Sequence, residues 1–474
     1  MIFRLVAIAF VMLVLPLRAA EKITIRTNDE KNPEMEITEA QGLALAGSLL
    51  KEGNLDQARP LFTRLAKSED KDIRSEALFE LGMIFMVEKD YEYAIRFFLA
   101  VLGSNPDLTR VRLELARAYF LDRNFDEAAF QFRLVKGDST LPPEVVENVD
   151  KFLEEIRRNK SWSVSSAFGI APDTNRNNAA GDDVDCILTI FGTMQCPAKD
   201  SGVGLKLNTT FNHYARFTRD FGWRSTLGAY LTDYKGGRYD DYMLYAATGP
   251  RYVFGMGEVS FQPLFYRRWL YGEGYNKNMG ARLDTSWDLK SRAYLSTGVQ
   301  FARTSYDDEG IEEYYRGNTF SWYMNPRYLL SQKSFVGFEL GLGVETLAKD
   351  YNSSHSYTYG LNYFNEFPLG FALDIGFSTT SARYDAKHDY PIVDTVSMSD
   401  EDFYDCIRHS SLVFYCPLTR RDNTYNYYIA LISNKLNFEG LFPSLRYSYL
   451  DRRSNVPMYE FDRHRVELLA TYRF

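Results

Sequence analysis

The stretch Phe371–Thr379 reads FALDIGFST, and its odd and even positions obey different rules. Phe371, Leu373, Ile375 and Phe377 are large and apolar, whereas Ala372, Asp374, Gly376 and Ser378 are small or polar. Side chains alternate across a β-strand, so one face of this segment is greasy and the other wet. About ten residues with apolar-out, polar-in alternation fit a strand of a membrane β-barrel. The same dyad runs through Leu441–Leu450, where Leu441, Pro443, Leu445, Tyr447 and Tyr449 alternate with Phe442, Ser444, Arg446 and Ser448. It returns at the start of this region, where Trp162, Val164, Phe168 and Ile170 alternate with serines, Ala167 and Gly169. A charge facing lipid at the bilayer midplane costs ~2–4 kcal/mol, so Asp374 and Arg446 are expected to face the lumen.

Fourteen such segments follow one another between residues 161 and 474. Their connections differ in length. Short ones fall at Arg219–Phe221, Gly255–Met256, Leu289, Ser331–Gln332, Phe367–Pro368 and Leu436; long ones fall at 171–201, 307–313, 385–421 and 454–460, with tight exceptions near Gly236 and Gly272. Short periplasmic turns, long outer loops and an even strand count place both ends of the barrel in the periplasm. The four cysteines lie in the two longest loops, Cys186 with Cys196 and Cys406 with Cys416, and are expected to form two local disulfides outside the cell. The chain ends on Phe474, with Tyr472 two residues before it, the kind of aromatic end read as a barrel-assembly signal; Leu469 stands where that signal often has glycine.

Before residue 160 the period becomes helical and a longer repeat appears. Leu81, Gly82, Phe85, Ala94 and Phe98 recur 34 residues later as Leu115, Ala116, Tyr119, Ala128 and Phe132, and 36 residues earlier as Leu45, Ala46, Leu49, Ala58 and Phe62. That is the tetratricopeptide pattern of paired helices. Three repeats need a polar cap, which Pro143–Arg158 supplies with Val146, Val149, Phe152, Leu153 and Ile156 on one face. The usual groove positions of such a solenoid fall on Glu76, Phe79, Met83 and Met86, then on Arg110, Leu113, Arg117 and Phe120. Apolar, adaptable Met and Phe suit a peptide partner, although any one of them can equally pack against a neighbouring helix.

The first twenty residues read as a signal peptide: Arg4, an apolar run from Leu5 to Leu15, Pro16, then Ala19 and Ala20. The expected organisation is therefore a signal peptide over 1–20, an extension over 21–35, a periplasmic repeat domain over 36–158 and an outer-membrane barrel of about 14 strands over 159–474. Aromatic residues make up 15% of the chain, 34 Tyr, 34 Phe and 5 Trp, which suits lipid-facing strands and interfacial girdles. The net charge of −8 argues against a nucleic-acid partner. Only five histidines exist, none in a nucleophile motif, so neither catalysis, nor a metal site, nor a cofactor is expected.

Two patches carry a family resemblance. Gly169–Asn178, GIAPDTNRNN, and the tail from Ser454, SNVPMYEFDRHRVELLATYRF, with Ser454, Asn455, Tyr459, Arg463, Arg465, Leu468 and Phe474 at the matching positions, resemble the surface lipoprotein assembly modulator (Slam) family. The resemblance, together with the repeat-then-barrel order, covers nearly all of the chain after the signal peptide. It implies a Gram-negative translocator that delivers lipoproteins or related secreted proteins, metal- or haem-capture proteins among them, to the cell surface. The partners it implies are that client, the barrel-assembly machinery, periplasmic chaperones and outer-membrane lipid. An exopolysaccharide or solute porin with a periplasmic repeat domain is the alternative.

Overall fold

The computed structural model describes residues 22–26, 34–182, 184–189, 192–289, 292–391, 415–434, 436 and 441–473. The signal peptide, Cys406 and Phe474 lie outside them. Two compact units divide within one helix, the first ending at Phe97 and the second beginning at Phe98.

The first unit opens with a two-stranded sheet, β1 (Lys22–Arg26) and β2 (Glu34–Thr38). Helices α1 (Glu39–Lys51), α2 (Leu55–Leu65), α3 (Lys71–Glu88) and α4 (Tyr91–Ser104) follow as antiparallel pairs. Thr38 starts α1 with a reciprocal cap: its hydroxyl accepts from the Gln41 amide at 3.3 Å while the Gln41 side chain accepts from the Thr38 amide at 3.0 Å. The repeat positions Ala46, Ala58, Phe62 and Leu81 meet in one buried cluster with Leu65, Ala77 and Ile84. Alanines at the crossings let the backbones approach, and Phe62 fills the space between them.

The second unit continues with α5 (Thr109–Leu121), α6 (Phe125–Val135) and α7 (Pro143–Asn159), then enters the barrel through β3 (Trp162–Asp173). A small hairpin, β4 (Asp185–Thr189) with β5 (Gly192–Gln195), interrupts the first long loop. The wall then runs through β6 (Gly202–Arg216), β7 (Phe221–Tyr234), β8 (Asp241–Phe254), β9 (Gly257–Leu270), β10 (Glu273–Asp288) and β11 (Ala293–Tyr306). After a short helix, α8 (Glu309–Tyr315), it continues through β12 (Gly317–Ser331), β13 (Ser334–Leu347) and β14 (Ser354–Phe367). It ends with β15 (Phe371–Pro391), β16 (Tyr415–Ser433), β17 (Leu441–Ser454) and β18 (Phe461–Arg473). Among the described residues these make a closed barrel of fourteen antiparallel strands, sealed where β18 pairs with β3, Leu468 opposite Ile170 and Tyr472 opposite Ser166.

The alternation read from the sequence sets the two faces of the wall. Phe338, Leu361, Ile375, Leu431 and Leu468 are exposed on the outside, the band a bilayer covers. Asp374 and Arg446 face inward: the Tyr428 hydroxyl donates to Asp374 at 3.1 Å, and the Arg446 guanidinium lies 4.0 Å from the Tyr428 ring centre. The outer hairpin is longer than expected. Strands β15 and β16 run on to Pro391 and from Tyr415, after a break in register between Arg383 and Lys387. His388 and Tyr390 extend the ladder by pairing with Leu418 and Cys416 and by ring packing above the apolar band, where the membrane pattern no longer marks a strand.

Candidate functional site

Helix α6 enters the end of the barrel that carries the short turns. Leu134 is buried with Leu329, Phe335, Phe364 and Ala372, inward-facing residues of β12 to β15, and Phe130 and Ile432 pack against the same cluster. The Phe130 ring meets Phe364 edge-on at 5.9 Å, and Phe364 stacks on Phe335 at 5.0 Å. These rings close the mouth with apolar surface. Gly137, just past α6, passes so near β12 that a Cβ there would meet the Ser331 carbonyl at 2.1 Å.

Charge pairs surround this apolar contact. Arg112 of α5 is fully buried and donates to Gln131 at 2.6 Å, to the Pro106 carbonyl at 3.0 Å and to Glu366 at the end of β14 at 2.6 Å. Arg133 and Arg157 share Asp288 at the end of β10, at 3.2 Å and 2.5 Å. Lys136 donates to Asp150 at 2.8 Å and to the Leu289 carbonyl at 2.6 Å. Arg157 also donates to the Gly255 carbonyl at 2.6 Å, and Arg251 of the barrel donates to the Arg157 carbonyl at 2.7 Å. Burial works against the charge on Arg133, but Asp288 outweighs it and the pKa is raised. At Arg157 burial prevails over the same carboxylate and the pKa is lowered. Such buried pairs add little net stability, but each is expensive to break from one side.

Above α6 lies a cavity of about 680 Å³ inside the barrel. Tyr119, Phe130 and Gln131 border it from the helices, and Asn325, Arg327, Asn362, Asp374, Asn426 and Arg446 border it from the strands. The opposite half of the lumen is filled. There Gln262 is fully buried and accepts from Arg282 at 2.8 Å, and Tyr266 donates to Gln300 at 2.7 Å.

The residues expected to line a groove separate by burial. On α3, Glu76 is exposed, Met83 and Met86 are half-buried, and Phe79 is buried at 4% exposure, so Phe79 is core and not groove surface. On α5, Arg110 and Arg117 are exposed and Leu113 is half-buried. Arg117 pairs with Glu114 of its own helix at 2.9 Å. Phe120 packs edge-on against Phe125 at 5.8 Å and Phe152 at 5.3 Å, as a residue between helices does. Cys186 and Cys196 form a disulfide in the first outer loop, Cα atoms 4.9 Å apart. The partner expected for Cys416, Cys406, is outside the described residues, as is Phe474 of the terminal signal; Tyr472 is half-buried in β18.

The docked face of the third repeat had a signal in the sequence. Counting back 34 residues, Arg112, Arg133 and Lys136 stand where the second repeat has Leu78, Leu99 and Leu102. Three leucines of a self-packing repeat have become cations, and all three find partners outside their own helix.

A family model for the surface lipoprotein assembly modifier matches residues 162–474, the whole barrel, and one for the tetratricopeptide repeat matches 43–109. The chain belongs to the surface lipoprotein assembly modifier family. It is 23% identical over 406 residues to surface lipoprotein assembly modifier 1 of Haemophilus influenzae, covering 81% of this chain and 75% of that one. The surface lipoprotein assembly modifier of Pasteurella multocida is 21% identical over 403 residues, 80% of this chain and 73% of its own. The Neisseria meningitidis serogroup B modifier 1 is 24% identical over 256 residues, 53% and 49% of the two chains. Among solved structures, a bacterial polysaccharide outer membrane secretin is 13% identical with a TM-score of 0.34, covering 66% of this chain and 98% of its own. A Pseudomonas aeruginosa FadL homologue is 9% identical with a TM-score of 0.36, covering 71% and 95%. Structures this distant say nothing of function. This family member is an outer-membrane β-barrel protein with tetratricopeptide repeats before the barrel.

Proposed function

We propose that this protein delivers lipoproteins, or related secreted proteins, across the outer membrane to the cell surface, as a carrier and not an enzyme. The family match over residues 162–474 carries the reading. Metal- or haem-capture proteins are the clients we favour. Periplasmic chaperones would bring them to the exposed and half-buried groove residues Glu76, Met83 and Met86. The barrel-assembly machinery would insert the barrel itself. The porin alternative fits less well, because Leu134 and Phe130 occupy the lumen mouth, where a constitutive solute channel needs an opening.

Coexpression with a candidate surface lipoprotein tests the reading. Protease added to intact cells is expected to digest that lipoprotein when this protein is present and to spare it otherwise. A client that stays protected, with large steady conductance from the purified barrel, would promote the porin.

A further inference from the structure

Glycines thin one wall of the cavity inside the barrel. Inward positions of β13 to β15 include Gly337, Gly341, Gly343, Gly360 and Gly376, each opposite another inward position of the next strand. At three of them a Cβ would collide with a neighbour, on Gly343 with the Ser356 hydroxyl at 2.5 Å. A Cβ on Gly337 would meet the Asn362 side chain at 2.1 Å, and one on Gly376 would meet the Tyr428 ring at 2.2 Å. Asn362 and Tyr428 therefore lie along the wall and leave the centre open. The other wall sends Tyr245, Gln262, Tyr266 and Arg282 inward and is packed. The result is a cavity along one side of the lumen. Its volume is within the roughly 300–1,000 Å³ of ligand pockets, room for a short stretch of extended chain but not a folded domain.

Its chemistry narrows the occupant. Asn325 and Asn426, on β12 and β16, make no side-chain hydrogen bond among the described residues, and each amide offers both donors and an acceptor. An extended polypeptide presents N–H and C=O groups in turn, which such amides can meet in any register. Both charge signs line the space, Arg327 and Arg446 with Glu339 and Asp374, as mixed side chains require. An oligosaccharide would need several free aromatic faces, but Phe335 is stacked on Phe364 and Tyr428 is covered by Arg446, which leaves few such faces beside Phe442.

Building on the proposed carrier function, we infer that this chamber is a binding site for an extended segment of client polypeptide in transit, with α6 as its floor. A photoreactive benzoylphenylalanine placed at Asn426, in cells coexpressing a lipoprotein that the wild type displays, is expected to crosslink to that lipoprotein. The same probe at Tyr427, which faces lipid one residue away, is expected to give no such adduct. Ser378→Trp, which fills the chamber, is expected to abolish display while Ser378→Ala keeps it, with equal amounts of folded barrel for both. Display by the wild type with crosslinks at Tyr427 alone, an adduct that is glycan and not protein, or normal display by a folded Ser378→Trp barrel would each overturn the inference and leave the carrier function standing. A wild type that displays nothing would remove both.

Discussion

Arg112 shows how much a single residue ties together. It is a full charge with no solvent exposure, held by a side-chain amide, a backbone carbonyl and one carboxylate of the barrel. Removing one partner of such a pair leaves the other stranded and costs ~3–5 kcal/mol, far more than the pair contributes in net terms. Glu366→Ala is therefore expected to loosen α5 and α6, read as faster amide hydrogen exchange across Thr109–Val135. Arg112→Met combined with Glu366→Leu should exchange more slowly than the single variant, because no charge is left unpaired. Equal exchange in the single variant and the wild type would mean that this pair does not hold the helices. The cysteines give a second test at this scale. Cys186 joins Cys196, and mapping of disulfide-linked peptides is expected to find Cys406 joined to Cys416; a peptide linking the two loops would refute local pairing.

At the scale of elements, the sequence showed the strands more clearly than it showed their ends. Alternation over Phe371–Thr379 marks a strand because a bilayer forces one face to be apolar, and that force stops at the membrane surface. Above it β15 and β16 continue by pairing alone, so their outer ends could not be read from pattern. The repeat period found the helix pairs, but transferring groove positions assumed three equivalent repeats. Phe79 is buried, and its loss to alanine would remove core volume at a cost of ~3–5 kcal/mol, so Glu76, Met83 and Met86 are the better probes of client binding. The third repeat departs furthest, with its leucines exchanged for Arg112, Arg133 and Lys136 and α6 seated in the barrel mouth. Phe130→Asp with Leu134→Asp places two carboxylates in that apolar contact and is expected to drive α6 out. In planar bilayers the wild type should show little steady conductance and the double variant a large one. Unchanged conductance in a folded double variant would mean that α6 is not the seal.

For the whole molecule the question is whether client capture and sealing of the lumen are separate tasks. The first unit, through Phe97, has its own core built on Phe62, Leu65 and Ile84. In the second unit, α5 to α7 are joined to the barrel through Glu366, Asp288 and the apolar cluster around Leu134. Two deletions should therefore behave differently. Removing residues 36–90 takes away the first helix pair and α3 but keeps α5 to α7, so the barrel is expected to insert, to remain closed in planar bilayers and to lose display. Removing 36–158 also takes the seal, so the same loss of display should come with high steady conductance. Both deletions retain every barrel strand, and the heat-dependent gel mobility of folded barrels checks that each has inserted. If the shorter deletion still displays the lipoprotein, the amino-terminal repeats do not receive it. If the shorter deletion conducts as strongly as the longer one, α5 to α7 alone do not close the lumen, and the charge pairs at Asp288 and Glu366 serve only to anchor these helices.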